Sequence, residues 1–564
     1  MGRGEQTLVG HVIDVKGGAL TATLVADDQG QTPTVTIVDE DVLVGQVGTY
    51  VAVVQGQIEI LALVSQMSEQ ERVAPSVEGE SGPEGLRVPF AQRTVRLVPV
   101  GSLGEDGVFS RGVASYPTTG AEVHAIGTAD IDTIFSRFRS KGYDVGRLSS
   151  HKALSACLDP SSLFGRHFTI LGQTGAGKSW TVATLLQRAV AVMPKAHVIL
   201  LDLHGEYCWT NDTGDLRFAF DEIHARHIDA RELEMPYWLM TYAELCDLLI
   251  DQTDYSAHNQ TAVFREALND LRMAEGARLG LTRTTIDTPV FFDLNELRSI
   301  IDSKNGMVNS QSTGKPVKGS LTGAFDNFLM RLDSRLNDVR YDFLLKPQSR
   351  SSSETLEGLL RDFVGLGDPK RPITVIDLSS VPFDVRPTVA AQIGRLSFEF
   401  NYWNPQYREF PLLLVCEEAH TYIPRESQAQ FAGSRKSMER IAKEGRKYGV
   451  GLGVVSQRPH EVSETVLAQC GTFLCLRITN PNDQNYVRSL VPEAERDLVD
   501  ILAGLGRGEA MVLGEAVPVP TRLSFYAPNP TPSSSDVDFF EHWREGPDDI
   551  NVSEIVRRWR DQER

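Results

Sequence analysis

What the chain has little of excludes a good deal. It holds only six cysteines in 564 residues: Cys157, Cys208, Cys246, Cys416, Cys470 and Cys475. They are scattered and lack zinc-ligand spacing, so neither a disulfide framework nor a structural zinc is expected, and the usage fits a reducing cytoplasm. Cys470 and Cys475 are five apart, but Cys475 lies in an apolar strand-like run, and both read as core thiols. No apolar run reaches the roughly 20 residues of a membrane helix, and Met1-Gly2-Arg3-Gly4-Glu5-Gln6 leads into no signal-type stretch. A soluble, cytoplasmic chain with no membrane partner is expected. Excess positive charge is absent too. Lys and Arg number 56 against 75 Asp and Glu, a formal net charge of −19. That excludes wholesale wrapping of nucleic acid and leaves local contacts, such as a few basic side chains inside a pore. The hydrophobic fraction of 41% and charged fraction of 23% exclude a disordered chain. The length calls for roughly two to four domains.

What is present centres on Gly172-Gln173-Thr174-Gly175-Ala176-Gly177-Lys178-Ser179, a G-x-x-x-x-G-K-S loop. An apolar strand-like segment, Phe168-Thr169-Ile170-Leu171, precedes it, and a helix-like run from Trp180 to Arg188 follows. That context separates a P-loop from a chance Gly-rich turn. The glycines let backbone N–H groups wrap the α- and β-phosphates of ATP. Lys178 is spaced to reach the β- and γ-phosphates, and Ser179 to put its hydroxyl on Mg²⁺. The helix N-terminus adds the positive end of its dipole. Gly172, Thr174, Gly175, Ala176, Gly177, Lys178, Ser179 and Trp180 form the expected nucleotide-binding set.

Residues 1–125 read as all-β, a small barrel or sandwich of short runs such as Leu8–Val15, Leu20–Val25, Thr34–Val38, Tyr50–Val54 and Ile58–Leu63. Glu69 to Gly85 reads as a flexible loop inside it. Nothing there looks catalytic, and assembly or docking is the expected role. Asp130–Arg139 reads as a helix and Arg147–Asp159 as a connector. A RecA-like α/β ATPase core is expected over 126–235 and 365–525, a helical insertion over 236–364, and a tail over 526–564. Within the insertion, Ser303–Ser320 reads as a loop, and the tail as either a brace on a neighbouring subunit or a partner-binding segment. Ala510–Leu513 reads as the last strand.

Several strand ends carry polar groups. Ala196–Asp202 is an apolar run ending in an acid, followed by Leu203-His204-Gly205-Glu206-Tyr207. Asp202 and Glu206 either face the ligand crevice or simply organise a turn. Pro411–Cys416 leads into Glu417-Glu418-Ala419-His420, a Walker B pattern. Glu417 would lie on the Mg²⁺ side through its water shell, and Glu418 would orient and deprotonate the attacking water. The alternative is an ordinary strand with two acids at its end. Arg435 to Lys447 is a basic helical segment, either a solvated face or the source of an arginine that reaches a neighbour's γ-phosphate. Arg446 is the first candidate and Arg440 the second. Gln457, in Ser456-Gln457-Arg458-Pro459, suits a γ-phosphate or water sensor because its amide both donates and accepts. Arg477, near the end of the strand-like run Thr472–Ile478, needs an anionic partner if buried, a structural carboxylate or a phosphate.

These motifs, in this order, resemble the HerA family of hexameric DNA translocases in the HerA–FtsK superfamily. The resemblance rests on Arg166-His167, the P-loop, Asp202-x-His204-Gly205-Glu206-Tyr207, Glu417-Glu418-Ala419-His420, Glu444-Gly445-Arg446-Lys447-Tyr448-Gly449 and Ser456-Gln457-Arg458-Pro459, and spans nearly the whole chain. It implies that Lys178 and Ser179 bind phosphates and Mg²⁺, that Glu418 is the catalytic carboxylate, that Arg446 acts in trans, and that Arg166 lies near the nucleotide. One departure is Glu417, where Asp is commoner. The resemblance also implies a homohexamer with DNA in its pore and a separate effector chain, a nuclease or a sirtuin-like protein, in DNA processing or anti-phage defence. Arg435 and Lys436, then Lys315 and Lys318, are the expected DNA contacts. The alternative is a hexameric platform whose nucleotide state switches a partner enzyme. A conjugation or secretion ATPase ranks last, since it would want a membrane segment.

Overall fold

The structure is a computed structural model that describes residues 7–25, 34–37, 40–43, 45–73, 89–104, 108–211, 215–251, 253–309, 316–426, 432–534, 537–547 and 549–561. The chain forms two compact units. One comprises Met1–Pro194, Gly453–Val462 and Leu467–Ser534; the other comprises Lys195–Leu452, Ser463–Val466 and Ser535–Arg564.

In the first unit a six-stranded antiparallel sheet closes on itself. Its order is Ala19–Leu24, Leu8–Lys16, Glu122–Ala125, Tyr50–Gln55, Ile58–Val73 and Pro89–Leu103, and the last strand pairs back to the first from Leu20 with Leu97 to Leu24 with Arg93. Closure follows from alternation. Ala19–Leu24 buries every second residue, and the inward set (Val9, Val12, Leu20, Ala22, Val51, Val53, Ile60, Val95, Leu97, Val123 among them) fills the interior, while a short seventh strand, Phe109–Arg111, pairs with Pro89–Leu103 outside the closed set. Glu69–Val73, expected in a loop, instead extends the Ile58–Val73 strand against Pro89–Leu103. Cross-strand pairing there outweighs the polar composition. The rest of that expected loop lies outside the described residues.

The barrel is tied to the second part of this unit. The Tyr50 hydroxyl, buried, donates to the carbonyl of Pro520 (2.7 Å). Arg96 pairs with Asp497 (2.8 Å) and Arg111 with Glu495 (3.2 Å). That second part is a mixed sheet. Ser155–Cys157, Asp144–Leu148, Thr521–Phe525, Glu509–Gly514 and Thr472–Cys475 run antiparallel to one another in that order, and Phe168–Leu171 then lies parallel to Thr472–Cys475. On its other side Phe168–Leu171 pairs in parallel from Phe168 with Gly453 to Leu171 with Ser456. Buried on both faces, it is apolar throughout apart from Thr169, whose hydroxyl bonds the Val454 carbonyl (2.9 Å). Three expectations change here. Arg147–Asp159 is not a plain connector but holds the end of the strand Asp144–Leu148 and the edge strand Ser155–Cys157, Ala510–Leu513 is followed by a further strand at Thr521–Phe525, and the strand before Arg477 stops at Cys475.

The second unit holds four parallel strands in the order Leu412–Cys416, Val198–Asp202, Ile373–Asp377 and Ala225–Asp229. Helices Arg386–Trp403 and Ala432–Glu444 pack together, and Gly394 permits the contact: a Cβ there would lie 2.9 Å from the Met438 methyl. Between the strands run helices Tyr242–Leu249, Ala257–Arg278, Leu294–Asn305, Asp326–Leu336 and Leu356–Phe363. Ser303–Ser320 is not wholly a loop: the helix runs to Asn305, and Met307–Asn309 pairs with Pro316–Lys318. Helix Tyr242–Leu249 begins in a capping box between Thr241 and Glu244. The same Glu244 takes the Arg395 guanidinium at 2.9 Å, and Arg395 also bonds Glu399 (2.9 Å) and the Leu239 carbonyl (2.6 Å). Their side chains are 10% and 12% exposed for Arg395 and Glu244, so each is the other's main solvent.

Breaking such a pair costs far more than the pair contributes, because it strands a buried charge, on the order of 3–5 kcal/mol. Arg395→Met is expected to lower the thermal midpoint sharply, with Arg395→Met/Glu244→Gln recovering part of the loss. A calorimetric scan in which the single variant melts with the parent would remove this ion pair from the energetics.

Candidate functional site

The helix after the P-loop, Lys178–Val192, starts at Gly177 with no side-chain cap. Ser, Thr, Asp or Asn oxygens often cap a helix start; Gly177 has no side chain to do so, and the positive end of the helix dipole faces the loop. Gly175 (φ +75°) and Gly177 (φ +102°) turn the backbone through conformations that side chains resist. Gly172 is needed for a different reason: a Cβ there would sit 2.9 Å from the Leu476 Cβ.

Neighbouring elements fix the loop. Thr174 donates its hydroxyl to the Gln457 side-chain carbonyl (2.5 Å), so Gln457 stands at the rim of the loop. Gln173 accepts from the Thr479 hydroxyl (2.6 Å) and backbone (3.2 Å), and its N–H bonds the Arg477 carbonyl (3.0 Å). Lys178 Nζ lies 3.4 Å from the Gln173 carbonyl. Arg477 therefore meets the loop through its main chain, while its side-chain Nε is buried without a hydrogen-bond partner. Trp180 is half-buried on the first turn of the helix. Arg166, half-exposed, ion-pairs with Glu515.

In the second unit Asp202 proves to be the organiser of a turn. Its carboxylate accepts from the backbone N–H groups of His204 (3.2 Å), Gly205 (2.8 Å), Glu206 (3.1 Å) and Tyr207 (2.9 Å). Burial nonetheless raises its pKa to about 6, against the lowering effect of those bonds. The turn delivers Tyr207, fully buried, whose hydroxyl donates to Glu417 Oε1. Tyr422 donates to the Glu417 carbonyl (2.7 Å). Burial, then the negative charges of Asp202 and Glu206, push the Glu417 carboxyl well above its usual range. Glu418 follows at a left-handed φ of +44°, and the His420 ring lies 3.3 Å from its carboxylate. A strained non-glycine backbone at a strand end commonly marks a functional turn. Nothing in the order of apolar residues foretold the role of Tyr207; the one signal is its spacing of five from Asp202.

The basic segment separates by partner. Arg435 is held by Glu439 (2.8 Å) and the Arg425 carbonyl (2.8 Å). Arg440 lies over Phe398 (4.2 Å to the ring centroid) and Tyr402 (5.7 Å), an internal cation–π stack. Arg446, on the single turn Gly445–Tyr448, is exposed and makes no ion pair among the described residues. Lys436 and Lys318 are exposed, and Lys315 lies outside the described residues. Among the described residues no helix is long and apolar enough to cross a membrane, and no cluster of three or more His, Cys, Asp or Glu is arranged to hold a metal.

Known proteins share this pattern. A family model described as "Helicase HerA, central domain" matches residues 143–396, and one described as "Helicase HerA-like C-terminal" matches 409–525. The DNA double-strand break repair helicase HerA of Pyrococcus furiosus is 28% identical over 71% of this chain and 72% of its own. Its namesake from Sulfolobus acidocaldarius is 26% identical over 78% and 80%. Among solved structures, VirB4 of Thermoanaerobacter pseudethanolicus aligns with a TM-score of 0.45 at 18% identity, covering 68% of this chain and 96% of its own. The two matched regions run from the strand Asp144–Leu148 to the strand Thr521–Phe525, with residues 397–408 between them, and on them the chain belongs to the HerA helicase family.

Proposed function

We propose that this chain is the subunit of a ring-forming translocase or helicase that hydrolyses ATP to move double-stranded DNA. As a member of the HerA helicase family it is an ATP-hydrolysing enzyme with a P-loop. The observation that carries the reading is the glycine turn at Gly175 and Gly177 at the start of the helix, whose N-terminus carries no side-chain cap and is followed by Lys178 and Ser179, a fit to a triphosphate. Mg²⁺ neutralises phosphate charge when bound; Ser179 would hold it. The Glu417 carboxyl, crowded by Asp202, Glu206 and Glu418, is a group whose ionisation a nearby cation would favour. Glu418 orients and deprotonates the attacking water, and Tyr207 positions the acid beside it. Gln457 senses the γ-phosphate through its bond to Thr174. Arg446 is the trans-acting arginine, since Arg440 and Arg435 are spent on internal contacts.

The domain division carries over as part of this proposal: a barrel over 1–125, the ATPase core over 126–235 and 365–525, a helical insertion over 236–364 and a tail over 526–564. The same holds for a homohexamer, DNA contacts through Lys436 and Lys318, and a separate nuclease or sirtuin-like partner in DNA processing or anti-phage defence. A second reading, a platform whose nucleotide state switches a partner enzyme, draws on the net charge of −19 and on the barrel's bonds, through Tyr50, Arg96 and Arg111, to the second part of the same unit, which carries the P-loop. It predicts partner switching with negligible DNA movement.

Lys178→Ala and Glu418→Gln are each expected to cut DNA-stimulated ATP turnover by roughly 10²-fold or more, measured as phosphate release. Normal turnover in either variant would overturn the assignment. Tyr207→Phe removes one hydrogen bond and is expected to lower kcat about tenfold with KM for ATP unchanged. Mixing inactive Lys178→Ala with inactive Arg446→Ala subunits is expected to restore activity, because one supplies an intact P-loop and the other an intact arginine. If no mixing ratio recovers turnover, Arg446 does not act across subunits.

A further inference from the structure

The loop between Leu505 and Glu509 touches the P-loop directly. Gly508 donates its N–H to the Ala176 carbonyl (3.1 Å). The open side of Gly177 faces the same residue, with Gly508 N 3.4 Å and Cα 3.6 Å from where a Cβ would stand. Glu509 holds the loop in shape. Its carboxylate takes the Gly506 N–H (3.0 Å), the Arg522 guanidinium (2.8 Å) and the Ser149 hydroxyl (3.3 Å). Phe525 bonds the Gly508 carbonyl (2.9 Å) and closes the loop from the next strand.

Arg507 projects from this braced loop with its guanidinium over the Trp180 ring, 5.5 Å from the centroid. Trp180 follows Ser179 directly. Arg507 is exposed and makes no ion pair among the described residues, although carboxylates hold Arg96, Arg111, Arg166 and Arg522 of the same unit. A planar cation and a large aromatic ring thus lie together at the edge of a phosphate cradle, the cation unspent and the ring half-open.

We propose that Arg507 and Trp180 form a stacking platform for the base of the bound nucleotide and give the site a preference for purine triphosphates. The proposal rests on the nucleotide reading of the P-loop given above. Guanidinium and indole planes both attract the face of a heterocycle, and the larger purine surface gains more from them than a pyrimidine does. Stacking on the base adds to ground-state and transition-state binding alike, so it acts on KM rather than on kcat.

The test is steady-state hydrolysis of ATP, GTP, CTP and UTP by the full-length protein, with inorganic tripolyphosphate as a competitor. Arg507→Ala is expected to raise KM for ATP and GTP about tenfold with kcat within about twofold, and to shrink the purine-to-pyrimidine ratio of kcat/KM by a similar factor. Inhibition by tripolyphosphate should not change. Arg507→Lys keeps the charge but not the plane, and should lose the ratio like the alanine variant. In Trp180→Phe, the part of the fluorescence change on adding ATP that comes from this indole should be lost, and an unchanged signal would overturn the platform. A uniform loss for all four nucleotides and for tripolyphosphate would make Arg507 a phosphate contact and overturn the platform. Unchanged KM and unchanged ratio would overturn it as well. In either case loss of turnover in Lys178→Ala leaves the nucleotide reading standing, whereas normal turnover there removes that reading and the platform with it.

Discussion

An α-helix leaves its first N–H groups without partners, and the chain must supply oxygen for them or leave the end open. In Lys178–Val192 no side chain supplies it. The surrounding structure serves to keep that end open and still. Thr174 is pinned to Gln457, Gln173 to Thr479, and Ala176 to Gly508, so three separate segments restrain a loop whose glycines would otherwise leave it loose. The parallel strand Phe168–Leu171 sets the loop's starting height, and its burial on both faces is what makes that height fixed. An oxyanion arriving there meets a backbone already held in place, which is where such sites get their strength.

The acids of the second unit answer a different constraint. Buried carboxylates repel one another, and each must be bonded or neutral. Asp202 spends its lone pairs on four backbone N–H groups and so builds the turn that brings in Tyr207. Glu417 is tied by Tyr207 and by its own backbone to Tyr422. Two tyrosines and an aspartate thus define the setting from which Glu418 emerges at a left-handed backbone angle. The arginines sort by the same logic. Arg435 is held by Glu439 and Arg440 lies over Phe398, whereas Arg446, exposed on a short turn, makes no ion pair among the described residues.

Much of this was legible in the residues. The P-loop, the Walker B acids, the polar strand ends and the long helices all follow from local spacing, because each is a property of a few neighbours in sequence. Glu69–Val73 and Arg147–Asp159 were misread for one reason: their strand character comes from partners far along the chain, not from their own composition. The fate of Arg435, Arg440 and Arg166 was equally hidden. All three look alike as basic side chains in a string, and only the fold says that Glu439, Phe398 and Glu515 stand beside them.

The sequence by itself determined the chemistry on offer: which residue types occur, in what order, around a glycine-rich turn that must bind an anion. Motif spacing carries that much because phosphate recognition is done by contiguous backbone. Tertiary structure decided which side chains remain available. Asp202 became a turn organiser, Tyr207 a support for Glu417, and Arg507 a neighbour of Trp180 from more than three hundred residues away. Availability depends on what a group is packed against, and packing joins residues that the chain keeps far apart.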